Sequence, residues 1–227
     1  MNEIPTETLS GAQITVRLLE RQGITLVTGY PGGAILPIYD ALGQSTAIRH
    51  VLARHEQGAG FIAQGMARAT GEVAVCMASS GPGATNLLTA IADARLDSIP
   101  LVAITGQVPR AMIGTDAFQE VDTYGLSIPI TKHNFLVTSA EELLEVIPRA
   151  FRIAASGRPG PVLVDIPKDV QTQAIEVAEW PAPGTREMPP AADAWALAEA
   201  AALINAARRP ILYLGGGVVH SGAAPVA

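Results

Sequence analysis

Short apolar runs typical of β-strands alternate with runs of helical period from residue 12 to residue 167, and this alternation limits the possible fold most strongly. Six runs have the composition of buried strands, at residues 24–29, 48–53, 72–79, 99–105, 132–138 and 161–167. Strands separated by helices predict an α/β fold, here a six-stranded parallel sheet with helices on both faces. Ligands of such folds bind at the carboxyl ends of the strands.

The composition suits this fold and excludes several classes of protein. Hydrophobic residues make up 48% of the chain and charged residues 16%, as expected for a mostly buried sheet. The net charge of −6 provides no basic surface, so nucleic acid is not predicted as a partner. Neither a signal peptide nor an apolar stretch of about 18 residues is apparent, so we predict no membrane span and expect a cytoplasmic protein. The single cysteine, Cys76, lies in an apolar run and is interpreted as a buried small hydrophobe.

The alternation ends near residue 170, which predicts a first domain at residues 1–170. Residues 171–191 contain four prolines and are interpreted as a linker. A helical pattern at 193–207 and a strand-like run ending in "LGGGV" at 214–218 then predict the start of a second, Rossmann-like domain at 192–227. Because one helix and one strand cannot bury a core, we expect the sequence to be the front part of a longer polypeptide.

Glu56 occupies an unusual position in the predicted helix that follows residue 55. Alanine and larger apolar residues recur at helical spacing and predict one buried stripe, formed by Ala59, Ile62, Ala63, Met66 and Ala67. Glu56 extends this stripe by one turn. A carboxylate on a buried face loses hydration unless it is hydrogen-bonded, so Glu56 either caps its own helix or serves a ligand. For the adjacent His55, local packing or capping is favoured over catalysis.

Glycine-rich turns follow three of the predicted strands, at 29–34, 79–86 and 214–218. Glycine lets the backbone approach a ligand closely and leaves N–H groups pointing outward. The first two turns and Glu56 are expected at the same sheet edge, which predicts a pocket there. The sequence has no G-x-S-x-G nucleophile motif and no metal-ligand cluster, so no metal site is predicted in this chain. The chemistry is therefore expected to come from a cofactor.

Seven segments together resemble the catalytic large subunits of the acetohydroxyacid synthase (acetolactate synthase) family of thiamine-diphosphate enzymes: "GYPGGAILPIYDAL", "RHEQGA", "ASSGPGATN", "ITGQVP", "IGTDAFQE", "KHNFLV" and "RPGPVLVDIPKDV". The resemblance implies that residues 1–170 form an aminopyrimidine-binding domain and that 192–227 begin a central domain associated with FAD. It also implies a third domain with the ligands of Mg²⁺ and of the diphosphate. Nothing in this chain corresponds to that domain, so the chain alone is expected to be inactive.

The resemblance also implies roles for individual residues. Glu56 would hydrogen-bond the aminopyrimidine of thiamine diphosphate and act in catalysis with Gln119 and Lys168. The other implied cofactor-binding residues are Tyr30, Pro31, Gly32, Gly33, Gly81, Gly83 and, towards FAD, Arg158. The implied substrate channel contains Gly33, Phe118 and Gln119. The alternatives are loop packing for Phe118 and a solvated surface charge for Lys168 and Arg158.

The reaction implied by the resemblance joins a hydroxyethyl group, derived from pyruvate and carried by thiamine diphosphate, to pyruvate or 2-oxobutyrate in branched-chain amino-acid biosynthesis. A homodimer or higher homo-oligomer and a possible small regulatory subunit are implied as well. Two alternatives remain open. One is another thiamine-diphosphate decarboxylase, oxidase or carboligase, and the other is a truncated, non-catalytic protein with a thiamine-diphosphate domain.

Overall fold

The computed structural model describes residues 6–226 and has the predicted α/β architecture. Residues 1–5 and 227, which belong to the predicted first and second domains, lie outside the described residues, and so does the first part of the acidic start in which no signal peptide is predicted. The strands are β1 (Glu7–Ser10), β2 (Leu26–Gly29), β3 (Arg49–Leu52), β4 (Ala74–Ala78), β5 (Leu101–Gln107), β6 (His133–Leu136), β7 (Pro161–Pro167) and β8 (Ala174–Val177). The helices are α1 (Gly11–Arg21), α2 (Leu36–Gln44), α3 (Glu56–Thr70), α4 (Pro82–Leu96), α5 (Thr123–Ser127), α6 (Leu143–Ala155), α7 (Lys168–Thr172), α8 (Ala194–Ala206) and α9 (Gly216–His220).

The six-stranded sheet is confirmed, and all of its neighbouring strands are parallel, in the order β3-β2-β4-β5-β7-β6. Each strand in this sheet corresponds to one of the six apolar runs. Because the strands are parallel, their carboxyl ends lie along one edge of the sheet, which we call the carboxyl edge. Their amino ends lie along the opposite edge, the amino edge.

The two faces of the sheet differ in the size of their side chains. Larger residues such as Val75, Met77 and Ile104 pack against α1, α2 and α6. Smaller residues such as Ala74 and Ala103 pack against α3 and α4. Cys76 belongs to this second face and is completely buried, as predicted, and burial raises the pKa of its thiol to about 12.

The buried face of α3 differs in part from the predicted stripe. Ala59, Ala63 and Ala67 are buried, but Ile62 is 43% exposed, so its prediction is wrong. Gly60 and Gln64 are buried in its place. The reason is the close approach of α4: a Cβ at position 60 would lie 2.6 Å from the Cβ of Ala90. Because of this contact, the face of α3 that contains Glu56 and Gly60 packs towards α4.

The chain divides into two compact units, residues 1–187 and 188–227. In the first unit, β8 pairs with β1 in an antiparallel ladder, so part of the segment interpreted as a linker is a strand. In the second unit, α8 forms where helix is predicted and buries none of its residues. Residues 211–214 form no strand in the described part of this unit, contrary to the prediction, and no other strand lies there to pair with them. The domain boundaries remain a prediction.

Across residues 6–226, the model contains no helix long and apolar enough to cross a membrane.

Candidate active site

Glu56 is the first residue of α3, and three residues separate it from the carboxyl end of β3 at Leu52. The Nδ1 atom of His55 accepts a hydrogen bond from the backbone N–H of Gln57 at 3.1 Å, so His55 caps the helix, as predicted. Glu56 is therefore not needed as the cap. Its carboxylate oxygen Oε2 accepts a hydrogen bond from Nδ2 of Asn86 in α4, at 2.9 Å. Asn86 thus fixes the direction of the carboxylate.

The turn between β4 and α4 passes in front of this carboxylate. A Cβ at position 83 would lie 3.4 Å from Oε1 of Glu56 and 3.3 Å from the Cβ of Ser79. The missing side chain of Gly83 therefore leaves room beside Oε1. The hydrogen bond from Asn86 engages Oε2, so Oε1 is able to accept a hydrogen bond from a ligand or share a proton with it.

Gly81 brings the long loop after β5 against the same turn. Its φ is +54°, and a Cβ here would lie 2.4 Å from the carbonyl oxygen of Gln119. Gln119 itself has a φ of +56°, which is uncommon for a residue with a side chain. The two backbones are in direct contact, and this contact places Gln119 beside the turn that faces Glu56.

Residues 30–34 form the third part of the edge, after β2. A Cβ at Gly32 would lie 2.5 Å from the Cβ of Ser79, and the backbone N–H of Ala34 donates to the Ser79 hydroxyl oxygen at 3.2 Å. Ser79 therefore braces the turn that begins with Tyr30 and Pro31. No described atom outside the immediate chain neighbours lies within 4 Å of a Cβ at Gly33, so this position faces open space.

The remaining predicted residues of this edge are less closely associated with Glu56. The side chain of Phe118 is 87% exposed. Lys168 begins α7 directly after β7, and its role remains a prediction. Helix α7 is tied to the 30–34 turn because Nε2 of Gln171 donates to the carbonyl oxygen of Ala34 at 2.7 Å. Thus Lys168 shares the carboxyl edge with Glu56, whereas no direct contact joins the two side chains in the described structure.

Arg158 lies at the amino edge, away from the other predicted site residues. It precedes β7, and its guanidinium donates to the Ser98 hydroxyl oxygen at 2.7 Å and to the carbonyl oxygen of Leu96 at 3.1 Å. The structure does not bring Arg158 together with Glu56. Its contact with FAD remains a prediction.

Three residues of this edge were not predicted from the sequence. Asn86 fixes the Glu56 carboxylate, and Asp165 and Gln107 form a buried hydrogen bond of 3.0 Å at the ends of β7 and β5. Burial raises the pKa of Asp165 to about 7, although its hydrogen bonds from Thr105 and Gln107 act in the opposite direction. The lone carboxylate in the apolar run "PVLVDIP" was the available signal for Asp165. No comparable signal distinguished Asn86.

Comparison with known proteins assigns this arrangement to a family. The family model described as "Thiamine pyrophosphate enzyme, N-terminal TPP binding domain" matches residues 9–126. The chain belongs to the thiamine pyrophosphate enzymes. Thiamine pyrophosphate is another name for thiamine diphosphate, so the cofactor expected from the sequence is supported at the level of the family. No group of three or more potential metal ligands occurs within the described range.

Individual relatives of this thiamine pyrophosphate enzyme domain are named acetolactate synthases, which confirms the resemblance. The acetolactate synthase isozyme 1 large subunit of Escherichia coli is 69% identical over 212 residues, covering 93% of this chain and 38% of the relative. An acetolactate synthase of Mycobacterium bovis is 56% identical over 225 residues, with coverages of 96% and 35%. The E. coli isozyme 2 large subunit is 54% identical over 218 residues, with coverages of 96% and 39%. The chain thus spans between 35% and 39% of the length of these relatives.

Proposed function

We propose that this chain supplies the aminopyrimidine-binding part of an acetolactate synthase. The reaction would join a two-carbon unit from pyruvate to pyruvate or 2-oxobutyrate, in the biosynthesis of branched-chain amino acids. The observation that carries the proposal is the Glu56 carboxylate, oriented by Asn86 and facing the space left by Gly83. The identity of 69% with a relative named acetolactate synthase supports this reaction over that of other thiamine-diphosphate enzymes.

The residues at this edge fit the aminopyrimidine of thiamine diphosphate. A flat ring can approach Oε1 of Glu56 through the space where position 83 has no side chain. Bound thiamine diphosphate would supply the nucleophilic carbon that attacks the pyruvate carbonyl. Glu56 would share a proton with a ring nitrogen and so assist proton movement within the cofactor. Asn86 would keep the carboxylate at the correct angle to do so.

The other predicted residues have roles around this ring. Gln119, held against Gly81, would face the reacting end of the cofactor, and Lys168 would provide a positive charge at the same edge. The exposed ring of Phe118 and the open space at Gly33 would border the substrate channel. The turns at 30–33 and 81–83 would surround the cofactor with backbone groups.

The wider assembly is part of the same proposal. Residues 1–170 would form the aminopyrimidine domain, 171–191 a linker, and 192–227 the start of an FAD-associated domain. Arg158 is proposed to contact FAD, and Mg²⁺ is proposed to bind to a different domain. The words "large subunit" in the names of relatives support a small regulatory partner. A homodimer or higher homo-oligomer in the cytoplasm completes the proposal.

The test is an assay of acetolactate formation by the native protein that carries this sequence, with thiamine diphosphate, Mg²⁺ and FAD. We expect Glu56→Gln to lower kcat by about 100-fold or more, because proton transfer by a positioned side chain contributes about that factor. Glu145→Gln is the matched control, since the side chain of Glu145 is 77% exposed and pairs with Arg149 at the surface. The control should keep its full rate.

Two results would contradict the proposal. A Glu56→Gln enzyme with a rate within a few-fold of the wild type would remove Glu56 from the chemistry. A wild-type protein that consumes pyruvate but forms neither acetolactate nor the product with 2-oxobutyrate would be a different thiamine-diphosphate enzyme. Intact mass of the native protein, measured on the same preparation, would show which further domains accompany this chain.

A further inference from the structure

We propose that Asp165 is a positioning residue that acts through Gln107 to hold residues 117–122 over the Gly81 turn. It would thereby set the location of Phe118 and Gln119. The effect that we expect on the reaction rests on the proposed function. The positioning itself is a property of the chain and can be measured without any activity.

Asp165 is buried and uses both of its carboxylate oxygens. It lies near the carboxyl end of β7 and is 1% exposed. The hydroxyl group of Thr105 donates to Oδ1 at 2.7 Å, and Nε2 of Gln107 donates to Oδ2 at 3.0 Å. An apolar side chain at this position would leave both of these buried donors without an acceptor. The specific role of the carboxylate is to accept the hydrogen bond from the side-chain amide of Gln107.

Gln107 connects Asp165 to the loop. It is 2% exposed, and its Nε2 donates a second hydrogen bond, to the carbonyl oxygen of Val121 at 3.1 Å. Its Oε1 accepts from the backbone N–H of Val108 at 2.9 Å. With donors and acceptor all engaged, the amide has a single favourable orientation. Removing Asp165 would leave a buried donor unpaired and free the amide to rotate away from Val121.

Within the described residues, the other attachments of this segment are mostly local: the N–H of Thr123 also donates to the carbonyl oxygen of Val121 at 2.7 Å, and the Asp122 carboxylate accepts from the N–H of Gly125 at 2.8 Å. The backbone of Gln119 rests on Gly81, and a turn joins the N–H of Glu120 to the carbonyl oxygen of Ala117 at 3.0 Å. The ring of Phe118 is 87% exposed and contributes little packing. Gln107 therefore provides the buried anchor for this segment, and Gly81 provides the surface on which it rests.

The helix that follows the segment has an anchor of its own. Nδ2 of Asn134 donates to the carbonyl oxygen of Tyr124 at 2.7 Å and to the hydroxyl oxygen of Ser127 at 2.8 Å. These bonds fix α5 independently of Asp165. Loss of the Asp165–Gln107 bond should therefore loosen residues 117–122 and leave α5 in place, which a general loss of stability would not do.

The experiment measures backbone hydrogen exchange and kinetics of the native enzyme for four variants. Gln107→Met and Asp165→Ala remove the connection. Asp165→Asn keeps it, because the Asn oxygen can accept from Gln107 while the Asn amide donates to the Thr105 hydroxyl. Gln64→Met is the matched control, since Gln64 is also 2% exposed and its amide donates to a backbone carbonyl, that of Ala90.

We expect Gln107→Met to speed exchange in residues 117–122 by about tenfold, the factor that loss of one buried hydrogen bond gives. Exchange in α5 should not change. Asp165→Ala should have the same effect, Asp165→Asn should restore wild-type exchange, and Gln64→Met should leave this segment unaffected. KM for the keto acid should rise by about tenfold in Gln107→Met and Asp165→Ala, the two variants that remove the connection. Their affinity for thiamine diphosphate should change by less than about twofold.

Unchanged exchange of residues 117–122 in Gln107→Met would overturn the inference. An equal increase in the Gln64→Met control would also overturn it, because the effect would then be a general loss of stability. If Asp165→Ala does not fold, Gln107→Met decides the matter alone. A wild-type enzyme that forms no acetolactate would refute the proposed function, whereas the exchange result would still stand or fall separately.

Discussion

Both edges of the sheet contain residues with a positive φ, but the two edges use them differently. At the carboxyl edge, Gly81 and Gln119 have φ values of +54° and +56° and touch each other. At the amino edge, Gly157 and Ser98 have φ values of +55° and +60°, but a Cβ at Gly157 would meet nothing within 4 Å. The comparison teaches that a positive φ alone marks a turn. A positive φ combined with a close backbone contact marks a position where two segments of the chain pack against each other beside a site.

Alanine at these two glycines gives the largest expected difference between the edges. Gly157→Ala should cost about 1 kcal/mol of stability, because only the backbone conformation is strained. Gly81→Ala strains a backbone at φ +54° and ψ −118° and also pushes the Gln119 backbone away, at a total cost of about 3 kcal/mol. Thermal unfolding and the acetolactate assay measure both effects. Activity should be lost in Gly81→Ala and kept in Gly157→Ala, and equal behaviour of the two variants would refute the distinction.

Gly83→Ala tests whether the space beside Glu56 serves a ligand rather than the fold. The new Cβ would sit 3.3 Å from the Cβ of Ser79 and 3.4 Å from Oε1 of Glu56, contacts that a shift of a few tenths of an ångström relieves. Because Gly83 is in the first turn of α4, alanine should keep or raise stability by up to about 1 kcal/mol. The affinity for thiamine diphosphate should nevertheless fall by about tenfold or more, as measured by titration.

The control for this substitution is Gly65→Ala. Gly65 lies in α3, is exposed, and has nothing near its Cβ position. It should gain a similar helix stabilisation and keep full cofactor affinity. If Gly83→Ala binds thiamine diphosphate as tightly as Gly65→Ala does, the space beside Glu56 is not part of the binding site.

Asp165 gives the carboxyl edge a pH dependence of its own. Its pKa is raised by burial from 3.8 to about 7, and the carboxylate of Asp122 acts in the same direction. The folded protein therefore binds this proton more tightly than the unfolded chain. The free energy of unfolding should fall as pH rises from about 4 to about 7, with a limiting slope of about 1.4 kcal/mol per pH unit.

Asp165→Asn removes this titrating group and keeps the hydrogen bond to Gln107. The stability difference between Asp165→Asn and the wild type should increase in favour of the variant between pH of about 4.5 and about 6.5. Denaturant unfolding at these two pH values measures it, and contributions from other carboxylates cancel in the difference. A constant difference would show that Asp165 is ionised throughout this range.

The sequence allowed the sheet and part of the candidate site to be predicted, because both depend on local patterns. The six apolar runs became six strands, and the placement of Glu56 beside two glycine turns follows from the parallel order of those strands. Contacts between distant segments were not predictable in this way. The exposure of Ile62 depends on Ala90 in another helix, and the β1–β8 pair joins residues at opposite ends of the first unit. The Gln107–Asp165 bond joins two strands whose order periodicity does not reveal.

Arg158 gives the smallest expected effect and tests the amino edge itself. Arg158→Met removes two hydrogen bonds from an exposed guanidinium, to Ser98 and Leu96, and should cost about 1 kcal/mol or less. The matched variant Ser98→Ala removes one of these bonds while keeping the guanidinium, and should cost less. Flavin absorbance of the purified protein, read on the same samples, distinguishes an effect on stability from an effect on cofactor binding. If Arg158 contacts FAD as proposed, Arg158→Met loses flavin and Ser98→Ala retains it. Flavin retained in both variants would leave Arg158 as a brace between two loops, and the amino edge would then be structural throughout.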